Sequence, residues 1–315
     1  MSSGRGRARG RATVAVRALL SCLVAIALAT RASAEQGSDP GSRAAGRIAT
    51  GKYHACAILG NGSVRCWGYG GDGQLGYGNT NSIGAHQTPA AAGPVDLGRG
   101  RTAQAITAGD VHTCAILDDG SVRCWGYGRD GRLGYANTNS VGASQTPASA
   151  GPVDLERGRT ARAITAGGSH TCAILDDGSV HCWGYGGNGR LGYANTDNVG
   201  DTPATTPGKA GPVDLGPRRT AKAISAGNAH TCAILDNGTV RCWGYAADGR
   251  LGYLNTNNDV GDDETPRSVG PVDLGPGRTA KAISAGGSHT CAILDRKSTR
   301  LNSSHRRLSR MPSSA

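Results

Sequence analysis

The sequence predicts an all-β fold: a partial β-propeller of about four four-stranded blades plus the start of a fifth. Three observations carry this. The first is a fixed period. Cys56, Cys114, Cys172, Cys232 and Cys291 open similar units at steps of 58, 58, 60 and 59 residues, and self-similarity at such a period marks a repeat architecture. The second is the pattern inside each unit, where short β-prone runs are separated by Gly, Asn and Asp, with no convincing helix. The third is composition. Gly is frequent at 51 residues and Phe is absent, so thin blades of Ile, Val, Leu, Ala and Trp must bury one another's faces.

In chain order, residues 1–34 read as a secretory signal peptide. Arg5, Arg7, Arg9, Arg11 and Arg17 form a basic start, Ala18 to Ala29 is a short apolar run, and Ala32-Ser33-Ala34 fits a small-residue cleavage site. The run is too short to span a bilayer, so no membrane span is expected in the mature chain. A lipoprotein reading through Cys22 is the rival. Residues 35–46 are polar and read as a linker.

The repeats divide as 47–104, 105–162, 163–222, 223–281 and a partial 282–295. Each starts with a pentapeptide such as Ala163-Ile164-Thr165-Ala166-Gly167, a β-prone run ended by Gly. A hairpin follows, as in His112 to Gly126, with two apolar runs flanking Asp118-Asp119-Gly120. If Leu117 and Ser121 close the loop, Ile116 faces Val122 and Cys114 faces Cys124. That is a non-hydrogen-bonded position, where a cross-strand disulfide is feasible. Cys56–Cys66, Cys172–Cys182 and Cys232–Cys242 follow by repetition. Tyr127 to Asn139 should then be irregular and exposed. Gly151 to Leu155 should form the fourth strand, with Pro152 at its start. Four strands at this period match one propeller blade.

Ala105-Ile106-Thr107-Ala108-Gly109, His112-Thr113-Cys114-Ala115, Asp119-Gly120, Trp125-Gly126 and Gly131-Arg132-Leu133-Gly134 recur in order, with Gly73-Gln74-Leu75-Gly76 in the first unit. Over residues 47–295 the chain thereby resembles the regulator of chromosome condensation repeat family in its secreted bacterial form. The resemblance implies a propeller, seven-bladed in well-known members. It also implies functions to weigh: nucleotide exchange on a small GTPase as in the family's founder, hydrolase inhibition as in a secreted relative, and plain protein binding.

The pattern breaks after Asp295. Leu301 stands where the cysteine facing Cys291 belongs, which leaves Cys291 unpaired by truncation. Residues 296–315 resemble a translated sequencing adapter and are expected to be a non-native tail, the rival being a genuine basic tail.

The formal charge of +11 invites a nucleic-acid reading. It comes from residues 1–34 and 296–315; without them residues 35–295 carry −1, so nucleic acid is not expected as a partner. The cysteines together with a signal argue for an oxidising compartment, hence a secreted, periplasmic or cell-surface location. A zinc site is the rival reading, but cysteines ten apart lack the usual short ligand spacing.

No residue stands out as a nucleophile or base, so no enzyme activity and no cofactor are expected. His54, His112, His170, His230 and His289 recur at one place and suggest a structural hydrogen bond to an adjacent turn, against a catalytic or metal role. His86 and His181 carry no pattern. Asp259, Asp262, Asp263 and Glu264 suggest calcium, but the other units lack them and a solvated loop is preferred, so no metal is expected. Tyr135, Tyr193 and Tyr253 are weak candidates for glycan platforms. The tracts 83–92, 141–150, 199–210 and 259–269 differ most between units, and specificity for a protein or surface polymer is expected there.

Overall fold

The computed structural model describes residues 47–254 and 258–295. The expected signal, linker and tail lie outside them. Antiparallel sheets follow one another along the chain: β1 (Ile48–Thr50), β2 (His54–Ile58) and β3 (Val64–Gly68); β4 (Ala103–Ala108), β5 (His112–Leu117) and β6 (Val122–Gly126); β7 (Ala161–Ala166), β8 (His170–Leu175) and β9 (Val180–Gly184); β10 (Ala221–Ala226), β11 (His230–Leu235) and β12 (Val240–Gly244). A final pair is β13 (Ala280–Ala285) with β14 (Thr290–Leu294).

The hairpin register follows the sequence. Leu117 N–H donates to the Ser121 carbonyl at 2.8 Å. Ile116 then pairs with Val122 and Cys114 with Cys124. The paired cysteines sit 4.1 Å apart at Cα and are disulfide-bonded, as are Cys56–Cys66, Cys172–Cys182 and Cys232–Cys242. Cys291 departs from the expectation. It too is disulfide-bonded, because a thiol without a cross-strand cysteine stays open to any other cysteine of the chain.

The fourth strand does not form. The first four sheets are three-stranded, and the outer edge is held by isolated bonds: Val141 bridges Gly126, and Val153 N–H donates to the Val122 carbonyl at 2.9 Å. Between them runs a single helical turn, α1 (Pro89–Ala92), α2 (Pro147–Ala150), α3 (Pro207–Ala210) and α4 (Pro266–Val269) in successive units. Pro at the first helical position after a Thr cap favours this turn. Its carbonyls are then captured: Arg123 Nη1 donates to the Pro147 and Ala148 oxygens at 2.9 and 3.0 Å. His181 takes the arginine's place in the third unit, with Nδ1 2.9 Å from the Pro207 oxygen, so it does belong to the pattern.

The blades stack face to face in chain order. The face with Cys114, Ile116, Val122 and Cys124 meets the next blade's face with Thr171, Ala173, Leu175 and Trp183. Strands β5, β8 and β11 are accordingly buried on both faces. In β2 the residues alternate between buried and half-buried, and β14 is half-buried throughout. Inner strands are tied across blades as well: the Thr107 hydroxyl accepts from Ala166 N–H at 3.0 Å.

Candidate functional site

Antiparallel pairing gives the array two ends. Hairpin turns such as 118–120 and the chain entering β4 share one end. The β4–β5 turn and the chain leaving β6 share the other, here called the loop end.

The loop end is built on a histidine ladder. His54, His112, His170 and His230 place Nε2 2.8–2.9 Å from the hydroxyls of Thr113, Thr171, Thr231 and Thr290 in the next blade. Each threonine hydroxyl itself donates to a carbonyl of the preceding blade, Thr113 to Gln74 at 3.0 Å and Thr171 to Arg132 at 3.1 Å. The hydroxyl proton is thus used, and the imidazole must donate through Nε2–H. Burial holds the rings neutral, lowering His54 and His230 to about 4. His112 falls to about 3, chiefly by burial and then by the Arg132 charge. The bond therefore runs to the next blade rather than to an adjacent turn. These rings are enclosed between the blades. His289 makes no such bond among the described residues.

The tract after β6 is irregular but only partly exposed. Gly131, Arg132, Leu133 and Gly134 are buried because they lie against the next blade. A Cβ on Gly131 would strike the Val199-Gly200-Asp201 backbone. Val141 and Gly142 likewise lock onto Gly73 of the preceding blade, so the variable tract 141–150 starts from a fixed base. Arg132, Arg190 and Arg250 are buried framework groups. Arg132 donates through Nε to the Arg129 oxygen and through Nη2 to Asp130, both at 2.9 Å. Its guanidinium lies 5.3 Å from the Tyr127 ring, and Arg190 and Arg250 lie 4.7 Å from Tyr185 and Tyr245.

These rings are the aromatic row of the loop end. Tyr69, Tyr185 and Tyr245 are 49%, 41% and 39% exposed. Tyr127 is half-buried, and Tyr53 packs edge-on to Tyr69 with centroids 6.5 Å apart. Sequence reasoning chose the wrong tyrosines. Tyr135, Tyr193 and Tyr253 pack on the core. The Tyr135 hydroxyl accepts from Cys124 N–H at 2.9 Å and donates to the Cys124 oxygen at 3.0 Å, and burial raises it to about 12. A cue was available: Tyr69, Tyr127, Tyr185 and Tyr245 each follow a Trp-Gly at the end of a strand, where the chain leaves the sheet.

Three of the four acidic candidates converge. Carboxylate oxygens of Asp262, Asp263 and Glu264 lie within 4.8 Å of one another. Burial, then the hydrogen bond and charge of Asp263, raise Glu264 to about 7. Asp259 is used differently, accepting from Ala246 N–H and Asn188 Nδ2, both at 2.9 Å. Between the second and third blades lies a polar cleft of about 360 Å³, lined by Tyr135, Asn137, Asn139, Gln145, Asp154 and Thr206 among others.

The sequence pattern of the Regulator of chromosome condensation (RCC1) repeat matches residues 61–116, 119–174 and 177–234, and a second form of it matches 47–74, 103–132, 161–190 and 221–250. The chain belongs to the RCC1 repeat family. It is 31% identical over 247 residues to the Ultraviolet-B receptor UVR8 of Arabidopsis thaliana, across 78% of this chain and 50% of that protein. It is 28% identical to the mitochondrial RCC1 domain-containing protein RUG3 of the same plant, across 79% of this chain and 51% of that one. A match to human HERC2, an E3 ubiquitin-protein ligase, covers 64% of this chain and 4% of that protein. The chain thus spans about half, or far less, of the curated relatives it matches. The crystal structure of human WBSCR16 shares the fold, with a TM-score of 0.60, 21% identity, and coverage of 80% of this chain and 58% of that one. No helix among the described residues is long and apolar enough to cross a membrane.

Proposed function

We propose that this RCC1-repeat protein is a secreted or cell-surface binding scaffold, without chemistry of its own, that engages a protein or surface polymer through its loop end. One observation carries the reading. Ladder, loop and bridge recur from blade to blade, while the tracts 141–150 and 199–210 that start from this framework differ. Variable loops on a rigid frame are where recognition concentrates. Four cross-strand disulfides fit an oxidising compartment. With this reading go a cleaved signal at 1–34, a linker at 35–46 and a non-native tail at 296–315. Exchanging the 141–150 and 199–210 tracts between blades is expected to change binding while leaving the melting temperature in place. Binding that survives every exchange would move the site off these loops.

A further inference from the structure

We propose that the loop end docks a basic polypeptide segment, its lysines and arginines meeting the carboxylates and its backbone lying on the tyrosine row. This rests on the scaffold reading and names the partner class for the same loops.

Charge is unevenly balanced along the array. The hairpin-turn end mixes both signs, with Asp118, Asp119, Asp176, Asp177 and Asp236 ion-paired to Arg101, Arg159 and Arg219. The loop end instead carries Asp72, Asp110, Asp197, Asp201, Asp262 and Asp263. Its three framework arginines are only 5–7% exposed. Lys52 and Arg129 are exposed cations there, and the tracts 199–210 and 259–269 add Lys209 and Arg267. The near-zero charge of −1 over residues 35–295 thus hides an excess of carboxylates at the loop end, and a field of one sign on a face selects partners of the other.

Two further features need the same partner. Exposed aromatic rings in a row are the usual anchors of polypeptide recognition, and each ring with an arginine behind it is held in place before binding. The Asp262-Asp263-Glu264 group is not neutralised by any ion pair of the described residues, and Asp262 Oδ1 is buried without a hydrogen-bond partner. An incoming ammonium or guanidinium supplies the missing counter-charge. A neutral glycan leaves the carboxylates unmet, and an anionic polymer is repelled. A divalent cation fits the triad but leaves the tyrosine row unexplained.

The test uses the full disulfide-bonded chain and fluorescence anisotropy with three labelled probes: an arginine-serine repeat peptide, a glutamate-serine repeat peptide and a neutral oligosaccharide. The arginine-serine peptide is expected to bind, more weakly as salt rises, and the glutamate-serine peptide not to bind. Y185A/Y245A leaves the charge unchanged and should weaken binding about tenfold or more. D262N/D263N should also weaken it, and R157Q/R218Q at the far end should not. All three substitute exposed or half-exposed groups, so an unchanged melting temperature checks folding. Binding that is indifferent to Y185A/Y245A would reduce the face to a bare charge patch and overturn the proposal. So would calcium raising the melting temperature of the parent but not of D262N/D263N while no peptide binds, or oligosaccharide binding that Y185A/Y245A abolishes. If loop exchange alters binding of a natural partner but no basic peptide binds, the scaffold reading stands and this inference falls.

Discussion

A single imidazole sets much of the energetics. His112 is fully buried, bonds across the blade boundary and keeps its Nδ1 without a partner. Gly109 makes room for it, since a Cβ there would strike the ring and the Gly167 carbonyl. His112→Ala, which leaves a cavity and removes the cross-blade bond, and Thr171→Val, which leaves the imidazole N–H and the Arg132 carbonyl unmet, should each cost about 1–3 kcal/mol. The double variant should cost less than the sum, and strictly additive urea-denaturation energies would show that the two side chains are not coupled. The ladder also predicts a pH dependence. The rings of His54 and His230 titrate near 6.5 when unfolded and at about 4 when folded. Between those values the unfolded chain holds the extra proton, so stability is full above pH 6.5 and is lost as pH falls towards about 4. Each unit of depression is worth about 1.4 kcal/mol. Denaturation midpoints measured across this range should fall with pH in the parent and less steeply in the His112→Ala variant.

The hairpin is the element that each blade depends on. Its disulfide closes a loop of about eleven residues, worth about 2.8 kcal/mol in the chain-entropy account. C114S/C124S should lower stability by about that amount, and non-reducing peptide mapping should find Cys56–Cys66, Cys114–Cys124, Cys172–Cys182 and Cys232–Cys242. Bridges between different blades would contradict the register. That register was legible from sequence because alternation and an Asp-Gly turn leave one consistent pairing. The fourth strand was misread for the opposite reason. Val153 carries β-prone neighbours, yet Pro152 removes a donor and the segment keeps one sheet bond. The turn at Pro147–Ala150 is too short to show a helical period. Periodicity does not separate Tyr127 from Tyr135 in an irregular tract; only the place of Tyr127 after the Trp-Gly that ends a strand marks it as the outer ring.

At the scale of the molecule, neither the excess of carboxylates at the loop end nor the burial of both strand faces is visible in a composition, because each arises only when blades stack. Stacking also makes the units unequal. Ala55 stands where Thr113, Thr171, Thr231 and Thr290 receive the ladder, so the first blade lacks the hydroxyl that would receive a histidine. Its face with Ala55, Ala57, Arg65 and Trp67 is only half-buried, whereas Thr113, Ala115 and Trp125 in the second blade are fully buried. In a nearest-neighbour array, local stability follows the number of buried faces. Opening energies should therefore be graded along this chain. Amide hydrogen exchange in the native state should be slowest in β5, β8 and β11, which are buried on both faces, and faster in β2. It should be fastest in the edge strand β1 and in β14, half-buried in a sheet of two strands. The disulfides sharpen the comparison, because β2 carries the same bridge as β5 but is packed on one face only in part. Equal protection in β2 and β5 would mean that the bridge governs opening, and that contact with a neighbouring blade adds little.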